Sequence, residues 1–276
     1  MIELRGPWIY QDKDERHLLE ANRVTIALEC LIKKKRCFLE RPDWKTIPWA
    51  LEPESKTLDF YLHDMLCDIP GLLEDATNIE LSILEIAQNR SLHRHLSRKI
   101  LLLLQTLYEW RARWQQQNPD SCCEVPTSSP DDEAFSPNII VYSSLGAAYE
   151  ICFYNAILLL ILKLGSQVIG PAFDPTNLSL RLTGHLDYGP LIPPGFALNS
   201  QAAATEICKS VEFHLAHPSS SAASFFLLFP LRVAYQTFEP ESKEAKWLRG
   251  VMTKVADMSG FEISRSLGGQ EFKSIS

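Results

Sequence analysis

Apolar residues return every three or four positions along most of this chain, and sustained period-two alternation is missing. Leu18, Leu19, Val24, Ala27, Leu28 and Leu31 predict a helix over residues 14–35, because that spacing gathers side chains on one face of a 3.6-residue turn. A second helix is expected from Leu58, Tyr61, Leu62, Met65 and Leu66, capped by Ser55 and stopped at Ile69-Pro70-Gly71, since proline and glycine interrupt helices. The longest apolar stripe covers residues 78–117, with Gln88–Ser91 as the point where it splits. Further helices are expected over 143–165, 199–216 and 222–238. A last one follows Pro240, capped by Ser242 and ended by Gly260, with Phe261 folding back onto it. The fold class that follows is all-α, an irregular array of roughly eight to ten packed helices with long Pro/Gly-rich connecting loops. We read it as a single domain over residues 1–276.

The connectors have their own logic. Pro42, Pro48 and Pro53 forbid a continuous helix after the first, and Trp44 and Trp49 anchor that segment through their large rings. Residues 118–138, "NPDSCCEVPTSSPDDEAFSPN", read as a flexible internal loop. Residues 165–198 form a second irregular connector. Leu145 to Leu164 is long and apolar enough to span a bilayer, but Glu150, Asn155 and Lys163 interrupt it. A charge in hydrocarbon costs about 3 kcal/mol, so a buried core helix is expected here and no membrane association. The charged N-terminus lacks the apolar core of a signal peptide.

Charge narrows the partners. The chain of 276 residues carries 34 acidic and 27 basic side chains, a net charge of -7. Phosphate neutralisation needs a basic face, so the chain as a whole is not built as a strong nucleic-acid binder. The run Lys33-Lys34-Lys35-Arg36 has two readings. One is a helix C-terminus, where cations meet the negative end of the dipole; the other is a nuclear import signal or phosphate-binding patch. Seven scattered cysteines with no CxxC pair are read as reduced intracellular thiols, and the spacing for a zinc site is missing. Cys122 and Cys123 form a vicinal pair in a loop.

Motifs for chemistry are scarce. The chain has no GxSxG, P-loop, GxGxxG or HExxH signature. His93 and His95 point to different faces of one helix and cannot share a metal from it. Asp131, Asp132 and Glu133 lie between prolines rather than on an apolar helix, so a magnesium–diphosphate role is not expected. His185 and Asp187 are close in sequence, but a catalytic dyad also needs a nucleophile. Arg232 sits in an apolar run after Pro230; an unpaired buried charge is costly, so it is expected to pair with a carboxylate or cap carbonyls.

A family likeness rests on the order of several blocks. "CFLERPDWKTIPW" and "SKTLDFYLHDMLCDIPGLLEDA" are followed by "LLLLQTLYEWRARW" and "SLGAAYEICFYNAILLLILKL". "FFLLFPLRVAYQTFEPESKEAKWLRGVMTKVADMSGFEISRSL" completes the set. In this order the blocks resemble the C-terminal regulatory region of fungal six-cysteine zinc-cluster transcription factors, over roughly residues 28–268. The zinc cluster that reads DNA in that family has no counterpart here, so no metal ligand or DNA-contact residue carries over, and direct DNA binding is not expected.

The resemblance implies a helical regulatory protein of the nucleus, with the cytoplasm as the other location. It would govern a metabolic or secondary-metabolite gene cluster through protein partners, such as a full-length factor or a second copy, and through a small-molecule effector. No enzyme activity, catalytic residue or cofactor is expected on this reading, and it names no ligand-binding residue. The alternative is a small-molecule cyclase or isomerase on the same helical frame. Its candidate polar groups are Glu150, Tyr154, Asn155, Arg232 and Tyr235 on apolar helices.

Overall fold

The computed structural model describes residues 2–81, 86–127, 134–175, 199–217 and 221–259. Among them are nine α-helices and one two-stranded ribbon. The helices are α1 (Ile2–Arg5), α2 (Lys13–Lys33), α3 (Pro42–Thr46), α4 (Leu58–Glu80) and α5 (Ile86–Gln117). They continue as α6 (Leu145–Ile169), α7 (Ser200–Ala216), α8 (Ser221–Tyr235) and α9 (Lys243–Ser259). The mostly helical class expected from the apolar spacing is the one observed.

The chain divides into two compact units. The first comprises Met1–Trp110 with Leu164–Phe173, and the second Arg111–Lys163 with Asp174–Ser276.

In the first unit, α2 packs on α4 and the connector 35–57 wraps both. Helix α2 starts where Asp12 accepts hydrogen bonds from the Asp14 and Glu15 backbone N–H groups, at 3.0 and 3.3 Å. An acceptor there satisfies donors that have no partner within the helix. It ends at Lys34, held left-handed at φ 49°. The N–H groups of Lys34 and Lys35 return to the Leu31 and Cys30 carbonyls, which turns the chain sharply back. Trp44 is fully buried and Trp49 nearly so, as expected of ring anchors in a proline-rich segment. Ser55 is not a helix cap: it lies in the 3-10 turn Pro53–Ser55, and Thr57 precedes α4.

Helix α4 corrects the expected stop at residues 69–71. It runs on through Pro70 and Gly71 to Glu80. Pro70 removes one backbone hydrogen bond, but its ring is buried with Leu66, Ile69 and Leu72, and that burial offsets the loss. At Gly71 the Glu40 carboxylate and the Arg36 guanidinium lie where a Cβ would stand, so a larger residue there would shift those two side chains. The expected split at Gln88–Ser91 is also displaced, since α5 passes through those residues without a break.

The second unit holds α6 to Lys163, the ribbon, α7, α8 and α9. Strand β1 (Cys122–Pro126) pairs antiparallel with β2 (Asn138–Tyr142), with Cys122 opposite Tyr142 and Pro126 opposite Asn138. Residues 122–126 therefore form a strand where composition suggests loop. The cause is the partner: Ile139, Ile140, Val141 and Tyr142 are β-branched or aromatic, and such residues favour a half-buried pleat. Ile140 and Tyr142 turn inward, and β2 packs on α7. Asn199 caps α7 by accepting from the Ala202 N–H at 2.8 Å, and Ser242 caps α9 by accepting from the Ala245 N–H at 3.1 Å. Helix α8 continues through Pro230.

Helix α6 is the one described helix long and apolar enough to cross a membrane. Most of that apolar window, 72%, is buried inside the protein.

Candidate functional site

The polar interior of the second unit lies along α7. Glu206, Ser210 and His214 are spaced four apart, so they share one stripe of the helix. Each meets a partner from α6 or β2. Asn155 donates to Glu206 at 3.0 Å, the Tyr142 and Ser210 hydroxyls are 2.6 Å apart, and Cys152 Sγ lies 3.5 Å from His214 Nε2. Ser210 Oγ also donates to the Glu206 carbonyl at 2.8 Å. On the ribbon side, Lys209 pairs with Glu124 and Thr127 donates to Glu212.

A cysteine beside a histidine invites a catalytic reading, because an imidazole can activate a thiol by taking its proton. Here the environment opposes that transfer. Burial pushes the Cys152 thiol up to about 12. Burial also lowers His214 to about 4, with the Ala148 carbonyl acting in the other direction. Both shifts favour a neutral S–H and a neutral ring over a thiolate–imidazolium pair. The contact holds α6 to α7 and does not produce a nucleophile at neutral pH.

Two buried histidines make stability depend on pH. His63, in α4, is also lowered by burial to about 4. An unfolded histidine binds its proton near pH 6.5. As pH falls through that value the unfolded chain gains protons that the folded protein refuses. Stability therefore drops from about pH 6.5 towards pH 4 and levels off below. At pH 5.5 the expected cost is about 1.4 kcal/mol for His63. His214, less fully covered, should cost less. Urea midpoints at pH 7.0 and 5.5 measure the loss, and His63→Gln should reduce it.

The first unit buries a charged network. Arg23, fully buried, donates from Nε to both Glu20 carboxylate oxygens at 2.9 Å. Its Nη1 donates to Asp64 at 2.9 Å and its Nη2 to the Trp44 carbonyl at 3.2 Å. Lys56 reaches the other Asp64 oxygen and the Lys45 carbonyl. Two cations thus face two carboxylates, and the pairing relieves the cost of burying them. Arg16 donates to the Pro48 carbonyl at 3.0 Å and pairs with Glu52, while its guanidinium lies 4.8 Å from the Trp49 ring centroid. The basic run at residues 33–36 is engaged too. Lys33 pairs with Glu29, Lys35 with Glu74, and Arg36 with Glu40 and Asp75.

The five polar groups singled out on apolar helices have identifiable partners or burial. Glu150 accepts from the Trp114 indole N–H. Asn155 is engaged with Glu206, and Tyr154 is buried. Arg232 and Tyr235 meet each other, with the guanidinium 5.9 Å from the ring centroid, and burial lowers the arginine. His93 and His95 are exposed. Asp131–Glu133, His185, Asp187, Gly260 and Phe261 lie outside the described residues.

Glu206, Ser210 and His214 were not singled out from the sequence; their four-residue spacing on α7 is the signal that could have found them. The partners Cys152 and Tyr142, and the network around Arg23, left no local signal. Among the described residues no group of three or more His, Cys, Asp or Glu is placed to hold a metal ion. Comparison with known proteins returned no matching family model, no matching curated protein and no matching solved structure.

Proposed function

We propose that this chain is a helical regulatory protein of transcription, acting in the nucleus through protein partners. The 276 residues contain no six-cysteine zinc-cluster block. The reading rests on the ordered likeness of its blocks to the regulatory region of fungal zinc-cluster factors. The observation that most favours it over chemistry is the state of the Cys152–His214 pair. Among the described residues, the Cys152–His214 contact brings a thiol to a histidine, and burial favours the neutral form of both. The buried Arg23 network ties α2 to the connector and to α4.

Deleting the gene tests it. Transcripts of a linked gene set should change, and purified protein should show no sequence-specific affinity for duplex DNA. Unchanged transcripts would overturn the reading. Constant transcripts with one altered small-molecule intermediate would instead support the cyclase or isomerase alternative.

A further inference from the structure

Most arginines of the first unit meet a carboxylate. Arg5 pairs with Glu15, Arg16 with Glu52, and Arg23 with Glu20 and Asp64. Arg36 pairs with Glu40 and Asp75, and Arg41 with Asp43. The remaining arginines of this unit, Arg90, Arg94 and Arg98, all belong to α5. They are exposed, and among the described residues none of them forms an ion pair. Arg94 Nε donates to the Arg90 carbonyl one turn back, at 3.3 Å.

The sequence around them explains why. From Ile86 to Tyr108, α5 carries no acidic residue. Asp75, which reaches α5, is shared by Lys99 and Arg36, and Glu109 accepts from Gln105. The arginines stand four residues apart, so they line one stripe with about 6 Å of rise between steps. The stripe continues towards Leu101 and Leu102, which are 40% and 62% exposed. A chain of net charge -7 thus keeps a cationic row with an apolar end outside its own ion pairs.

We propose that this face of α5 docks an acidic helical segment of a partner protein, with carboxylates four residues apart and apolar residues beside them. A helix laid along α5 repeats its side chains at the same pitch, so its carboxylates meet the guanidiniums in turn. Each guanidinium offers a planar fork of donors that matches a carboxylate. Leu101 and Leu102 would leave water against the partner's apolar residues. Opposite charge steers the encounter and sets the register. A nucleic acid fits less well, because the net negative charge of the chain repels a polyanion at range and a phosphate backbone gains nothing from exposed leucines. The docking face goes beyond the transcriptional reading and does not depend on it.

The full-length protein is titrated with a fluorescein-labelled helical peptide that carries Glu at every fourth position with Leu beside it. Matched peptides carry Gln or Lys in place of Glu. The wild type should bind the Glu peptide at least about tenfold more tightly than the Gln peptide, and more weakly at about 0.5 M salt. Combining Arg94→Glu with Arg98→Glu should weaken the Glu peptide by at least about tenfold and make the Lys peptide bind better than it does to the wild type. Leu102→Ser should weaken the Glu peptide by about threefold. Urea midpoints check folding, and the milder pair Arg94→Gln with Arg98→Gln should fall between the wild type and the charge-reversed protein. The proposal is overturned if the wild type does not distinguish the Glu and Gln peptides, or if the folded charge-reversed protein binds the Glu peptide as tightly as the wild type. It is also overturned if duplex DNA or phosphatidylserine vesicles bind the wild type more tightly than the Glu peptide and lose that binding on charge reversal. Unchanged transcripts after gene deletion would count against the transcriptional reading alone.

Discussion

Arg23→Met is expected to destabilise the first unit by about 3–5 kcal/mol, the range for breaking one side of a buried ion pair. The methionine fills much of the space but supplies no donor. Glu20 would then lie buried without the guanidinium that now binds both its oxygens, and the Trp44 carbonyl would lose its partner. Asp64 suffers less because Lys56 still reaches it. Burial already raises Glu20 even with Arg23 beside it. Without the arginine its folded-state pKa should rise further, above the unfolded value. Such a group contributes stability at low pH that is lost as pH rises, so the deficit should be larger at pH 7 than at pH 5. Arg23→Lys keeps the charge but not the planar fork, and should fall between the two proteins. Adding Glu20→Gln to Arg23→Met should recover part of the loss. Chemical denaturation followed by tryptophan fluorescence measures all of these, and a loss below about 1 kcal/mol would contradict the account of the network.

Trp110→Ala should cost a similar amount, about 3–5 kcal/mol, for a different reason. Its ring is completely buried, and removing it leaves a cavity that the surrounding side chains close only in part. Its indole N–H also donates to the Leu58 carbonyl at 2.7 Å, at the start of α4. Trp110→Phe separates the two effects. It keeps most of the apolar contact and loses the hydrogen bond. The Leu58 carbonyl sits in the first turn and can still accept from the helix itself, so the expected cost is only about 1 kcal/mol. A phenylalanine variant as unstable as the alanine one would show that the hydrogen bond, not the ring volume, holds this site.

Much of the helical frame was readable because burial imposes a period. Helices α2, α6, α7 and α9 begin and end within a few residues of where apolar spacing and capping residues put them. The readings failed where tertiary contact outweighed a local rule. Proline and glycine are strong breakers, yet at residues 70 and 71 the helix continues with both residues buried. Polar composition hid β1, whose strand form depends on pairing with β2 sixteen residues later. The candidate chemistry went unread. Glu206, Ser210 and His214 share a helix face by spacing, a signal passed over in the sequence, whereas Cys152 meets His214 and Arg23 meets Asp64 only after folding. No periodic rule connects residues so far apart.

The Arg23 network also bears on which partly folded forms of the first unit can exist. Arg23 reaches Glu20 within its own helix, but its other partners come from the connector and from α4. Docking one of these segments without the others would strip water from a charge before its counter-charge arrives. Such half-docked states are penalised, and the segments between residues 20 and 64 are expected to open and close together. Amide exchange across α2, the connector and α4 should therefore share one opening free energy rather than fray segment by segment.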